Sequence, residues 1–365
     1  MVHLPDVRFQ FSSNVHEVES SFSQIFPSQS QVPALCRTVS VAHYRDNSAL
    51  TTIVGHLKQN TPNAVIETFK DVFHLRYIVA PALEIFLPRA GAKYVVLKCS
   101  DRFVLVTGQE VTSPQQFLRH IYRELLLRIY EDDGAVLFHS AMLSVCGSGI
   151  MIMGPSHSGK TTLMLSLMES LGASYISNDR TIVTNGEMRG VGFPLPVRIG
   201  FGTAFSNALL LKHLKSGFDR LARGQIVDRK TFFSFEKTPE KWGYEQKLEI
   251  EPDEFCGIFK TSAILASPVR LIVVPQISPD CVRPSVRELS PAELEENLVQ
   301  ECLTPYDPLW VNPWLHVPVK SRESLAASAR SRIKVISTKI PAIQFRFGHN
   351  ISNSLKCREI NFQEV

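Results

Sequence analysis

The sequence predicts an α/β protein with a mixed β-sheet core and flanking helices, preceded by a smaller N-terminal α+β region. Two observations support this prediction. A glycine-rich loop at residues 154–162 stands between the apolar run 150–153 and a helix-favouring segment that stops at Gly172. Residues 269–274 form a continuous apolar run, which is typical of a central strand.

The length and composition indicate an ordinary globular protein. The chain has 365 residues, enough for two domains, with 44% apolar residues, 20% charged residues and a net charge of +4. It has no dense Lys/Arg run, so we expect no nucleic-acid partner. The longest apolar runs are too short to cross a bilayer, and the N-terminus lacks the pattern of a signal peptide. Seven scattered cysteines without metal-ligand spacing complete the expectation of a cytoplasmic protein with reduced thiols and no membrane partner.

The N-terminal third gives few signals before residue 93. Residues 1–60 are rich in Ser, Gln and Asn, whereas runs 93–99 and 102–107 predict a hairpin. The residues at 113–116 predict a helix start with a capping box. Apolar side chains then recur every four residues, which predicts one buried face: Phe117, Ile121, Leu125 and Ile129. We therefore divide the chain into a region for substrate or partner docking at 1–112 and a larger domain at 113–365.

The elements around the glycine-rich loop are two predicted hairpins. Residues 135–145 and 150–153 predict strands joined by Gly147, Ser148 and Gly149, so a hairpin leads directly into the loop. After the loop helix, residues 173–176 predict a strand that ends at the tetrad SNDR, residues 177–180. Residues 180–183 and 187–191 predict a second hairpin, in which Asn185 and Gly186 favour a two-residue type I′ turn.

The C-terminal half is less regular. Residues 219–242 are polar and charged, and they fit a solvated connection and a mobile substrate loop equally well. Residues 290–293 predict the start of a helix, and residues 322–332 a last helix. Strands are predicted at 334–336 and 342–347.

The glycine-rich loop matches the pattern G-x-x-x-x-G-K-[ST] of phosphate-binding loops. In such loops, backbone N–H groups and the N-terminus of the following helix surround a polyphosphate. Lys160 is expected to reach the terminal phosphates, and the Thr161 hydroxyl to coordinate Mg²⁺. A glycine-rich turn between two core elements is the alternative. The residues expected to bind ATP are Gly154, Ser156, His157, Ser158, Gly159, Lys160, Thr161 and Thr162.

Asp179 is the main candidate outside the loop, because ligands bind at the carboxyl ends of strands in open α/β sheets. Its carboxylate is expected to hold Mg²⁺ or to accept a proton from an acceptor hydroxyl, and a turn aspartate is the alternative. Asn178 is expected either to orient substrate or metal-bound water or simply to form the turn. Arg180 is expected either to neutralise charge on the transferred group or to lie in solvent.

Two further basic residues are candidates for substrate contacts. Arg198 follows an extended, proline-containing segment that suits the wall of a pocket, although an ordinary surface position explains it as well. Lys230 lies in the basic part of residues 219–242, which suggests an anionic or carboxylate-bearing substrate. Solvent exposure explains the same charges.

The order of these elements resembles the HPr kinase/phosphorylase group and its relatives, whose fold is similar to phosphoenolpyruvate carboxykinase. The resemblance is carried by a strand with His139, a hairpin, the loop GPSHSGKTT, a helix and the acidic tetrad. It covers about residues 117–200 and continues more loosely to about 350, where FRFG at 345–348 looks like the terminal strand. It implies a P-loop kinase domain in which His139, Asp179 and Arg180 face the transferred group.

The tetrad departs from that of HPr kinases themselves, which has two adjacent aspartates, the first thought to be the proton acceptor. Asn178 occupies the first position here, and GTA at 202–204 with Asn207 is more similar to the HPr-kinase-related branch. HPr is therefore not the expected acceptor. The base is Asp179 or another residue, or the acceptor needs none.

The expected function is an ATP- and Mg²⁺-dependent kinase that phosphorylates a hydroxyl of a small metabolite or a peptide. Asn178 leaves two alternatives open. One is a nucleotide-binding regulatory or scaffold protein with weak or no transfer, and the other is an NTP hydrolase that acts on a partner. A homo-oligomer is compatible with the sequence.

Overall fold

The computed structural model describes residues 2–4, 7–19, 37–192, 195–221, 227–278, 280–281 and 283–349. The chain is a mixed α/β protein, as predicted, and it divides into two compact units. Unit 1 comprises residues 1–132 and 305–320, and unit 2 comprises residues 133–304 and 321–365. No helix in the described ranges is long and apolar enough to span a membrane.

Unit 1 is built on a mixed sheet with eight described strands. The strands are β1 (Val2–Leu4), β2 (Val7–Ser13), β3 (Arg37–Arg45), β4 (Ala64–Phe69), β5 (Val72–Ala80), β6 (Leu83–Pro88), β7 (Tyr94–Cys99) and β8 (Arg102–Thr107). They lie in the order β1-β2-β3-β8-β7-β6-β5-β4. Strands β2, β3 and β8 are parallel, and β7 and β8 form the predicted antiparallel hairpin.

Two long helices lie in the described part of this unit: α1 (Asn47–Leu57) and α2 (Gln115–Asp132). Helix α1 buries Leu50, Val54 and Leu57, which share one face because they are three or four residues apart. These side chains pack with strand residues that include Val95 and Val106. The apolar face of α1 thus covers part of the sheet.

Helix α2 packs against strands of the same unit. The Phe117 ring lies 4.1 Å from that of Tyr94, and the Tyr122 ring 5.0 Å from that of Phe9. The compact unit therefore extends to Asp132, beyond the division at residue 112 that the sequence suggested. The helix is also buried over more than the one predicted apolar face, since its buried residues include three charged ones: Glu124, Arg128 and Glu131.

Unit 2 contains a nine-stranded mixed sheet and a two-stranded ribbon within its described residues. The sheet strands are β9 (Val136–Phe138), β10 (Ser140–Val145), β11 (Ser148–Met153), β12 (Ser174–Ser177), β13 (Thr181–Val183), β14 (Arg189–Gly192), β17 (Ala266–Ile277), β18 (Ser285–Glu288) and β19 (Ala342–Phe347). The ribbon strands are β15 (Val197–Gly200) and β16 (Lys247–Ile250). The main order is β12-β10-β11-β17-β14-β13-β9, with β19 between β17 and β18. Strand β17 contains the predicted central run.

Helices cover both faces of this sheet. The described helices of the unit are α3 (Lys160–Leu171), α4 (Phe201–Ser206), α5 (Ala208–Leu221), α6 (Arg229–Ser234), α7 (Pro252–Phe259), α8 (Pro291–Gln300) and α9 (Arg322–Lys339), with a short 3₁₀ helix at Pro239–Trp242. One core cluster includes side chains of α3, α5 and α7, and another those of α8 and α9. The sheet is therefore buried between two helical layers.

Two sequence predictions about local structure are wrong. Thr184 N donates to Arg189 O, so residues 185–188 form the turn, and the two-residue type I′ turn is wrong. In that turn Gly186 has φ 84° and Met188 has φ 51°. Residues 334–336 are helical within α9 rather than a strand, because Ile333 and Ile336 point into the core at helical spacing.

The polar segment 219–242 is not a simple connection. Its beginning completes α5, and α6 and the 3₁₀ helix occupy much of the rest, while residues 222–226 lie outside the described ranges. The Asp228 carboxylate caps α6 by accepting from Thr231 N at 2.9 Å. Phe232 of α6 is buried against Phe201 and Phe205, and this aromatic packing fixes the segment on the core.

Candidate active site

The glycine-rich loop connects β11 to α3, as the sequence predicts. Gly154 has φ 146° and Gly159 has φ 100°, values that favour glycine. A Cβ atom on Gly159 would lie 2.8 Å from Cζ of Phe347, so the loop also passes close to β19. Helix α3 starts at Lys160 and ends before Gly172, which adopts the left-handed conformation.

The loop has a hydrogen-bond donor that could bind an anion. The Lys160 ammonium donates to the carbonyl oxygens of Gly154 at 2.5 Å and Pro155 at 3.1 Å. The Ser158 hydroxyl is buried and has no hydrogen-bond partner among the described residues. A buried hydroxyl without a partner is costly, but Ser158 does not line the cleft described next. An ammonium has three N–H donors, so the two bonds of Lys160 leave one for an anion.

A cleft of about 260 Å³ opens beside the loop within unit 2. Its lining contains many of the residues singled out from sequence: His139, Ser156, His157, Gly159, Lys160, Thr161, Thr162, Asn178, Asp179 and Arg198. The remaining lining residues were not predicted as site residues: Gly200, Gly202, Thr203, Lys241, Trp242, Tyr244, Lys247, Ile277 and His349. The cleft thus brings the loop, the tetrad and His139 together.

His139 lies beside the tetrad because two breaks between strands of the sheet face each other. The predicted strand 135–145 is two strands, because the chain changes partners at His139: β9 pairs with β13, and β10 pairs with β11 and β12. The tetrad residues Asn178, Asp179 and Arg180 likewise separate β12 from β13. Hence His139 is not within a strand but lies at a break that faces the break in the tetrad.

His139 lies between two carboxylates. Its Nε2 is 3.4 Å from Oδ1 of Asp179, and its Nδ1 is 2.9 Å from Oε2 of Glu301. Hydrogen bonds with Asp179 and Glu301 raise the pKa of His139 above its usual value, although burial opposes them. The imidazole is thereby favoured in its protonated, cationic form.

Glu301 is held by the chain that follows α8. The His139 N–H donates to the Glu301 carbonyl oxygen at 2.8 Å, and Leu303 N donates to Leu137 O at 2.8 Å. The Thr304 hydroxyl oxygen accepts from Leu137 N at 2.9 Å. The segment therefore runs beside β9 and carries the second carboxylate to the imidazole. Sequence reasoning missed Glu301, because it follows a helix far along the chain and no local motif marks it.

The Asp179 carboxylate is kept ionised by its neighbours. Arg180 Nη1 donates to Asp179 Oδ2 at 2.5 Å, and the Arg180 side chain is almost fully buried. Burial alone would raise the pKa of Asp179, but the hydrogen bond from His139 and the charge of Arg180 outweigh it. The pKa is therefore well below its usual range. Arg180 reaches this site by pairing with Asp179 and is not itself a lining residue of the cleft.

Asn178 links the loop helix to the ribbon. Its Oδ1 accepts from the Thr161 hydroxyl at 3.3 Å, and its Nδ2 donates to Arg198 O at 3.2 Å. The amide orientation agrees with both partners, since one is a donor and the other an acceptor. Asn178 thus orients the Thr161 side chain.

The opposite wall of the cleft is basic and aromatic. Arg198 Nε lies 3.4 Å from Glu249 Oε1, and both side chains are about half exposed. Burial and the nearby Arg198 charge lower the pKa of Lys247. The Trp242 ring stacks on the His349 ring at 3.7 Å, and it sits so close to Gly202 that a Cβ there would clash. With Lys160 on the loop, this wall makes the cleft attractive to anions.

Gly154, Ser158 and Arg180 adjoin lining residues but do not line the cleft themselves, and Lys230 lies elsewhere. It is exposed on α6 and is not among the residues that line the cleft. Lys241 and Lys247 occupy the basic positions on this wall instead. The sequence pattern around Lys247 did not indicate a site residue, because strand β16 is only four residues long.

The sequence matches no model of a known protein family, and no curated protein compared with it gives a significant match.

Proposed function

We propose that unit 2 is an ATP- and Mg²⁺-dependent kinase that transfers a phosphoryl group to a hydroxyl of a small metabolite or a peptide. We further propose that its core is of the phosphoenolpyruvate carboxykinase-like type and that the chain is a divergent relative of the HPr kinase/phosphorylase group. The observation that carries the proposal is the single cleft shared by the phosphate-type loop, Asp179 and His139. Nucleotide binding needs only the loop, but transfer also needs groups beside the reacting phosphate.

The loop residues would hold the nucleotide phosphates through backbone N–H groups and the Lys160 ammonium. The Thr161 hydroxyl and the ionised Asp179 carboxylate are oxygen ligands of the kind Mg²⁺ prefers. Bound MgATP would supply the phosphoryl group and the charge of the metal. Asn178 would keep Thr161 oriented through its 3.3 Å hydrogen bond.

Asp179 is a weak base, because its pKa is held well below the usual range. The raised pKa of His139 favours a cation at the same place. We therefore assign metal binding to Asp179 and stabilisation of negative charge to His139. A loose transition state needs little early deprotonation of the acceptor, so a strong base is not required.

Calorimetric titration with ATP, with and without Mg²⁺, tests the proposed roles. We expect Mg²⁺-dependent binding to the parent chain, weaker binding to Lys160→Ala, and loss of the Mg²⁺ dependence in Asp179→Asn. Equal binding to the parent chain and Lys160→Ala would contradict the role of the loop. Lys212→Ala, an exposed lysine on α5, is the matched control.

A regulatory or scaffold protein is the second candidate. It is favoured by Asn178, whose amide lies where the resemblance places a proton acceptor and is already bonded to Thr161 and Arg198. Tight ATP binding without turnover in any acceptor pool would support this candidate. Phosphate release that is independent of any acceptor would instead indicate an NTP hydrolase.

A further inference from the structure

A second cavity lies inside unit 1, next to β4, β5, β7, α2 and the segment 305–320. Its volume is about 150 Å³, and most of its wall is aromatic. An apolar cavity of about this size is large enough to bind benzene. The aromatic wall includes Phe69, Tyr94, Phe117, Trp310 and Trp314.

The polar groups on one side of the cavity form an ordered chain of hydrogen bonds. The Thr68 hydroxyl donates to Val72 O at 3.3 Å, so its oxygen accepts from Nδ1 of His74 at 3.0 Å. This assignment leaves Nε2 of His74 to accept the Tyr94 hydroxyl proton at 2.8 Å. The Tyr94 oxygen therefore retains a lone pair that a ligand donor could use.

Trp314 has a buried donor that no described residue satisfies. Its ring stacks on His74 at 4.9 Å and meets Phe86 edge to face at 5.1 Å. Trp314 is 5% exposed, and its Nε1 is buried without a hydrogen-bond partner among the described residues. Buried N–H groups are rarely left in this state, because an unmade hydrogen bond costs free energy.

The cavity is electrically neutral. Its described lining residues include no carboxylate, ammonium or guanidinium group. Burial lowers the pKa of His74 to about 4 and is the largest of the effects that lower that of His120 to about 3. Both imidazoles are therefore uncharged near neutral pH. Arg119 and Arg123 lie near His120 but do not line the cavity, so a charged ligand would lose its hydration without a counter-charge in direct contact.

We propose that this cavity binds an uncharged aromatic group of about the size of phenol, with its ring among the aromatic side chains and its oxygen accepting a hydrogen bond from Trp314. The Tyr94 oxygen is the available acceptor for the hydroxyl proton of such a group. The same chemistry occurs in a free phenolic molecule and in a tyrosine side chain. Recognition depends on the volume of the cavity, on the lack of charged residues in its lining and on the unsatisfied Nε1–H donor of Trp314.

Calorimetric titration of the full chain with phenol and with benzene tests this proposal. We expect phenol to bind about tenfold more tightly than benzene, since it satisfies a donor that benzene leaves buried. Trp314→Phe should bind both compounds alike, and its retained benzene binding would show that the cavity is folded. Tyr44→Phe, at an exposed position of β3 that does not line the cavity, should keep the preference for phenol.

N-acetyltyrosine amide distinguishes the two sources of the phenolic group. Binding of this compound in competition with phenol would indicate a peptide tyrosine, and exclusion of it would indicate a free small molecule. Equal binding of phenol and benzene to the parent chain, no binding of either, or an unchanged preference in Trp314→Phe would each overturn the proposal.

Discussion

The Nε2 atom of His139 lies 3.4 Å from the Asp179 carboxylate, and the other ring nitrogen bonds to Glu301. Both carboxylates favour the imidazolium and raise the pKa of His139 above its usual value, which suits a cationic role better than that of a general base. The arrangement leaves Asp179 ionised and gives it a fixed orientation. Metal binding and charge stabilisation therefore suit this pair better than proton abstraction.

This pair predicts a pH dependence of stability. The pKa of His139 is raised in the folded state, so its contribution is complete below the unfolded value near 6.5. The contribution is lost as the pH rises through the folded pKa. The difference in free energy of unfolding between the parent chain and His139→Asn should therefore shrink with rising pH, as measured by urea denaturation. His56→Asn, at an exposed position of α1, is the control, and a difference for His139→Asn that does not vary with pH would refute the pairing.

Gly159→Ala should destabilise the chain by about 1–3 kcal/mol, because φ 100° is strained for alanine. The added Cβ would also press on Phe347, 2.8 Å away, and move the loop. Nucleotide binding should be lost together with stability. Thermal unfolding and calorimetry measure the two effects.

Gly55→Ala is the control for that substitution. Gly55 lies inside α1 with no atom within 4 Å of an added Cβ, so alanine should stabilise the helix by about 0.5–1 kcal/mol. We expect the free energy of unfolding to fall in Gly159→Ala and to rise in Gly55→Ala. A Gly159→Ala chain as stable as the parent would contradict the described loop geometry.

Asn178→Asp restores the first aspartate of the HPr kinase tetrad, but we expect it to destabilise this chain by about 1–3 kcal/mol. The new carboxylate cannot donate to Arg198 O, which Nδ2 of Asn178 reaches at 3.2 Å. Urea denaturation measures the loss. Asn185→Asp, in the exposed turn, should change stability by no more than about 0.5 kcal/mol. Equal effects at the two positions would argue against the bond to Arg198.

Arg128→Met should be the most damaging of these substitutions. Arg128 Nη1 donates to Glu131 Oε2 at 2.8 Å, and Glu124, Arg128 and Glu131 are all buried. Burial already raises the pKa of Glu124 to about 7. Without the guanidinium, two carboxylates stay buried, at a cost of about 3–5 kcal/mol. Because the pKa values of Glu124 and Glu131 are raised in the folded chain, the loss of stability in Arg128→Met should grow as the pH rises through these raised values.

The control for Arg128→Met is Arg76→Met. Arg76 is about one-third exposed, and its partner Glu84 keeps a second cation, Lys98, at 2.8 Å. Loss of the Arg76 guanidinium should lower the free energy of unfolding by less than about 1 kcal/mol. Denaturation curves at pH 5 and pH 8, run on both variants, separate the buried ion cluster from the surface pair. Similar losses in the two variants would show that burial does not govern these pairs.

The glycine-rich loop and its flanking strand and helix could be predicted because their signals are local. Gly159 and Gly172 occupy positions where φ is positive, and the apolar runs on either side have the right lengths. The helix start at Ser290 and Glu293 could be predicted in the same way, and α8 begins there with a capping box. In each case a few adjacent residues decide the conformation.

The break at His139 could not be predicted, because it results from a change of strand partners. Residues 135–145 read as one continuous strand, since the sheet is buried on both faces and only His139 and Ser140 interrupt the apolar run at its centre. Glu301 is 162 residues from His139 and reaches it only through the fold. The carboxylates around a site are therefore harder to find from sequence than the loop that anchors it.

Transfer of labelled γ-phosphate from ATP to a pool of hydroxyl acceptors, with Mg²⁺ present, is the direct test of the proposed kinase activity. We expect labelled acceptor with the parent chain and with Lys212→Ala, and a loss of about 100-fold or more with Lys160→Ala. The phosphate-type loop, Asp179 and His139 would then act as one site. If Lys160→Ala transfers phosphate as well as the parent chain, the kinase assignment is wrong.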